Sequence, residues 1–152
     1  MSAQPDNEGH PAMPRISDAE WTVMKVFWER GTSTLSDVVR ELEGRLHWKP
    51  RTVQSLIRRL SEKGALAVEV AGREFRYTPA VDQSHCQLKE SRTFLERVFN
   101  GRLTPFVTGL MEREEVSKDD LAALREVLAQ ADHRTKSSLI DSNRTRPNPP
   151  MR

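Results

Sequence analysis

Cysteine is almost missing from this chain. Cys86 is the only one in 152 residues, so neither an internal disulfide nor a multi-cysteine metal centre can form. A lone thiol fits a reducing compartment. Long apolar runs are missing as well. No stretch reaches the roughly 18 consecutive apolar residues of a membrane span, and the N-terminus lacks the apolar core of a signal peptide. A cytoplasmic protein without membrane insertion is expected. Catalytic signatures are also absent. The histidines His10, His47, His85 and His133 are scattered, with no HExxH, P-loop or Gly-rich fingerprint. His85-Cys86 is the one suggestive pair. Adjacent helical residues point about 100° apart and supply at most two ligands. No enzymatic activity, metal or cofactor is expected.

Apolar residues make up only 36% and charged residues 30%, which implies one modest core with flexible material attached. The net charge of +2 says little about partners, but its distribution says more. Residues 16–80 hold 11 basic and 9 acidic groups, 81–131 hold 7 and 9, and 132–152 hold 5 and 2. Such segregation accompanies nucleic-acid contact in one part and assembly in another. Residues 1–14 carry three Pro and one Gly with little that is apolar, and 132–152 are polar and basic. Both segments read as disordered tails.

The folded part starts at Ile16. Ser17 and Glu20 have capping-box spacing, with Ile16 and Trp21 placed as a hydrophobic staple, so a first helix is predicted over 18–30, ending at Gly31. Thr34 and Asp37 start a second, over 35–43, with Leu35, Val38, Val39 and Leu42 as its stripe and Gly44 as its end. Pro50 opens a third, where the missing N–H of proline costs nothing. Its stripe is Val53, Leu56, Ile57 and Leu60. LAVEVAGREFRYTP then alternates as a β-hairpin turning near Gly72. Three short helices followed by a hairpin is the winged helix-turn-helix order. The predicted fold is therefore mainly α with a small β-hairpin: a winged domain over 15–80 and a helical dimerisation region over 81–131.

On a helical wheel of the third helix, Arg51, Thr52, Ser55 and Arg59 gather on the outward side and Arg58 lies near the pole opposite Val53. Arginine pairs with guanine edges or phosphates, and Ser/Thr hydroxyls serve several acceptors. An exposed basic helix is by itself most often a solvated surface; its place before a wing makes DNA the favoured contact. Lys49 occupies the N-cap position without a side-chain acceptor and with a charge that opposes the helix dipole. A phosphate partner and a tolerated surface lysine explain it equally. Arg73, in the hairpin turn, is a second phosphate candidate, ahead of Arg76, and the other hairpin side chains read as core.

Three further amphipathic helices follow. Leu88, Leu95, Val98 and Phe99 form the stripe of the first, Phe106, Val107 and Leu110 belong to the second, and Leu121, Leu124 and Leu128 to the third, capped by Ser117. They have too little interior to stand alone, so a second copy of the same segment is the simplest cover. A winged-helix module that binds protein instead of DNA is the alternative.

The segments ISDAEWTVMKVFWERG (16–31), W-x-P-R-T-V-Q-S-L-I-R-R-L (48–60), EKGAL (62–66) and GREFRYTP (72–79) together resemble the BlaI/MecI/CopY family of bacterial transcriptional repressors. The resemblance implies a homodimer on an inverted-repeat double-stranded operator, with Arg51, Thr52, Ser55 and Arg59 near the DNA. It also implies a possible partner for induction, a membrane sensor metalloprotease of the BlaR/MecR type that cleaves at an Asn-Phe bond. Gly109-Leu110 stands in the matching place here. Release by a non-proteolytic signal is the alternative. Copper-responsive members carry a C-terminal cysteine cluster, which this chain lacks.

Overall fold

The computed structural model describes residues 13–144. Helix α1 covers Asp18–Arg30. The Ser17 hydroxyl accepts the Glu20 amide at 3.3 Å, which satisfies one of the free donors of the first turn. Gly31, at φ 81°, closes the helix by donating its N–H to the Phe27 carbonyl at 2.7 Å. Helix α2 spans Leu35–Leu46 and opens with a complete capping box. The Thr34 N–H donates to Asp37 at 3.0 Å, and the Asp37 N–H donates to the Thr34 hydroxyl at 3.3 Å. The helix runs through Gly44, the expected stop, and ends at His47 in the left-handed conformation at φ 55°. Glycine weakens a helix interior by only about 1 kcal/mol, and burial of Val38 and Leu42 outweighs that.

Helix α3 covers Pro50–Glu62. Strands β2 (Leu66–Ala71) and β3 (Glu74–Pro79) form the expected hairpin. A third strand, β1 (Ser33–Thr34), pairs with β3, giving the antiparallel order β1-β3-β2. Two residues are too few to leave an alternation signal in the sequence. The core joins Val23, Met24 and Phe27 of α1 to Val38 and Leu42 of α2 and to the whole apolar stripe of α3. Tyr77 of β3 packs edge-on to Phe27, with ring centroids 6.4 Å apart. Glu20 is also buried, at 2% exposure. Lys63 Nζ donates to its two oxygens at 2.7 and 2.8 Å and to the Arg15 carbonyl at 2.9 Å.

Helix α4 (Gln83–Phe99) belongs to two parts of the chain. Its first turns complete the winged domain. Cys86 is buried in the core, and Trp28 Nε1 donates to the Val81 carbonyl at 3.0 Å. Burial pushes the Cys86 thiol pKa up, and the Asp82 charge adds to this. One compact unit therefore runs to Thr93 and a second begins at Phe94, thirteen residues beyond the expected boundary after residue 80. Helices α5 (Leu103–Glu112) and α6 (Lys118–Arg144) follow, with the Asp120 N–H donating to the Ser117 hydroxyl at 3.1 Å. The expected disordered tail from 132 is corrected: α6 continues to Arg144. Nothing between residues 132 and 144 breaks a helix, since neither Pro nor Gly occurs there. Residues 1–12 and 145–152, also read as tail, lie outside the described residues.

Candidate nucleic-acid interface

The amphipathic design of α3 sets the site. Val53, Leu56, Ile57 and Leu60 are all buried, which fixes the rotation of the helix on the core. The opposite side is left to water. Arg51, Thr52, Gln54, Arg58 and Arg59 are exposed and Ser55 is half-buried. Two shallow concavities flank this face. One is lined by Lys49, Arg51, Thr52, Ser55, Leu56 and Arg59. The other is lined by Arg51, Gln54, Ser55, Arg58 and Tyr77, so strand β3 forms one of its walls. Arg51 and Ser55 border both.

All six residues expected on or before α3 are therefore brought together. Lys49 caps the helix through its backbone alone and makes no side-chain cap. Its side chain is exposed at the start of the helix, a place that favours anions over cations. Gln54 was not among the expected residues, although a step of about 100° from Val53 places it on a flank of the outward side. Arg73 lies apart from these concavities, in the two-residue turn Gly72-Arg73 closed by the Ala71–Glu74 pair. Gly72, at φ 66°, fits the first position of a type II′ turn, where a side chain would be strained.

The outward face is a cationic, hydroxyl- and amide-bearing surface with two grooves. The model for penicillinase repressors matches residues 16–130. The chain belongs to the penicillinase repressor family. It is accordingly a DNA-binding transcriptional repressor and not an enzyme. The chain is 37% identical to the penicillinase repressor of Bacillus licheniformis over 82% of its own length and 97% of the relative's. It is 31% identical to the methicillin resistance regulatory protein MecI of Mammaliicoccus sciuri, over 74% of this chain and 92% of that one. A solved structure, the monomeric form of Bacillus licheniformis BlaI in complex with the blaP half-operator, is 44% identical. It covers 47% of this chain and 88% of that chain, with a TM-score of 0.43.

In the second unit of this repressor, Phe94, Phe99 and Phe106 meet with ring centroids 5.5–6.0 Å apart. Phe94 was not anticipated. Leu95, Val107, Leu110 and Leu121 are half-buried. Leu88, which precedes this unit on α4, is exposed, as are Val98, Leu124 and Leu128. Among the described residues from Phe94 onward, no side chain is fully buried. Gly109-Leu110 lies inside α5. No helix among the described residues is long and apolar enough to cross a membrane.

Proposed function

We propose that the chain works as a homodimer that holds an inverted-repeat operator through α3 and the β2–β3 wing of each copy. The observation that carries this reading is the split of α3 into a wholly buried apolar side and an outward side bearing Lys49, Arg51, Thr52, Ser55, Arg58 and Arg59. Arg51 is the main reader of base edges, because it lies in the first turn of the helix and borders both concavities. Thr52 and Ser55 supply hydroxyls beside it. Arg58, Arg59 and Lys49 hold phosphates on either side, and Arg73 at the wing tip holds another.

Dimerisation is supported by the second unit, whose apolar side chains find no full cover among the described residues. A second copy related by a two-fold axis covers such a surface and doubles the DNA contacts in register with an inverted repeat. Relief by a membrane sensor metalloprotease at Gly109-Leu110 belongs to the same proposal. Because that bond sits in a helical turn, cutting follows local unwinding of α5, which a mid-helix glycine eases by about 1 kcal/mol.

Arg51→Ala tests the assignment of α3. Operator affinity is expected to fall by about 1–3 kcal/mol with base preference relaxed at one position of each half-site. Fluorescence anisotropy on matched and single-base-changed duplexes reads both. Unchanged affinity and preference would remove α3 from the interface and favour a protein-binding module.

A further inference from the structure

The wing is two-faced in a way the α3 reading does not use. Cross-strand pairing sets Val68 against Tyr77 and Val70 against Phe75, so these four side chains share one face. Glu69 against Arg76 and Ala71 against Glu74 occupy the other. At its base the apolar face is core, where Tyr77 meets Phe27. Further out, the expectation that it is core fails: Val68, Val70 and Phe75 are 49%, 67% and 55% exposed. Tyr77 links this uncovered patch to the concavity that Arg51, Gln54, Ser55 and Arg58 line on α3.

We propose that Val68, Val70 and Phe75 lie against the deoxyribose edge of the operator backbone, next to the bases that α3 reads. The inference rests on the assignment of α3 to DNA and adds a contact that carries no charge. Charge selects the occupant. Both carboxylates of the wing, Glu69 and Glu74, are on the other face, where Arg76 offsets only one of them, so the apolar face is the one a polyanion approaches without repulsion. Arg73 at the turn then anchors a phosphate while the apolar face covers the sugar carbons between phosphates. Apolar side chains do meet DNA where phosphate contacts fix the register.

A contact of this kind has a signature that an arginine cannot mimic. Removing it weakens binding without releasing fewer counterions, so the salt dependence stays the same. The probe is a duplex enriched by the full chain from a random pool, titrated by anisotropy at several KCl concentrations. Phe75→Ser is expected to weaken binding about tenfold, with an unchanged slope of log K against log salt. Phe75→Tyr, which keeps the ring, retains most of the affinity. Arg73→Ala lowers the slope by about one. Phe75 is exposed, so the thermal midpoint of Phe75→Ser stays close to that of the parent chain. An unchanged affinity for Phe75→Ser while Arg51→Ala weakens binding overturns the wing contact alone. Unchanged affinity in both variants overturns the α3 assignment as well. A loss of affinity that comes with a lower mass in sedimentation also overturns the proposal, because the face would then be covered by a second copy.

Discussion

Ending the chain after Thr93 is expected to leave a folded monomer that binds operator DNA about a hundredfold to ten-thousandfold more weakly than the full chain. The size of the loss follows from linkage. In the proposed homodimer, two linked winged domains make the second half-site contact intramolecular, and that gain disappears when they separate. The place of the cut matters. A cut at residue 81 removes Cys86 from the core, and with it Lys89, whose ammonium donates to the Met13 carbonyl. Thr93 keeps both and leaves the Asp82 cap of α4 intact, with the His85 N–H donating to its carboxylate at 3.0 Å. Sedimentation gives the mass, and anisotropy on single and paired half-sites gives the affinity. A Thr93-terminated chain that still sediments as a dimer would move the interface into the winged domain.

Lys63→Met is expected to cost about 2–3 kcal/mol of folding stability at neutral pH. Breaking a buried ion pair costs more, about 3–5 kcal/mol, but Lys63 keeps about a third of its side chain in water. Burial by itself raises the pKa of Glu20. Hydrogen bonds from Lys63 and Ser17, with the Lys63 charge, outweigh it and hold the carboxyl below the ordinary range. A lowered native value means that the stabilisation is present above the unfolded value, about 4.3. It is lost as the pH falls through the native value. In Lys63→Met both Lys63 contributions are gone while burial stays, so the carboxyl's pKa rises relative to the parent chain and the stabilisation gained above the unfolded value shrinks. Urea unfolding at several pH values reads both trends. The double variant Glu20→Gln/Lys63→Met recovers most of the loss, because no buried charge remains. Equal stability of Lys63→Met and the parent chain at pH 7 would contradict this account of the pair.

The parts of the fold legible in the sequence are those written in local spacing. Ser17, Thr34 and Pro50 mark helix starts through chemistry that reaches only three or four residues ahead. The stripe Val53, Leu56, Ile57 and Leu60 fixes which side of α3 faces outward, and that is why the outward residues of the candidate site could be anticipated. Contacts between distant residues left no such trace. Glu20 and Lys63 are 43 positions apart, and nothing near either announces the other. Cys86 reads as one face of a polar helix until Trp28 and Val81 place that turn on the core. In the wing, alternation separates Val68, Val70 and Phe75 from Glu69 and Glu74 but does not say what covers the apolar side. In α6, polar composition resembled a disordered tail, whereas the absence of Pro and Gly was the better guide.

The central claim is that the outward face of α3 reads the operator. Sequence selection from a random DNA pool, run in parallel with the full chain and with Arg51→Ala, tests it most directly. The predicted result is an inverted repeat for the full chain. For Arg51→Ala the same repeat should appear with one base position per half-site relaxed. Enrichment of the same fully specified sequence by both proteins, or of no inverted repeat by the full chain, would contradict it.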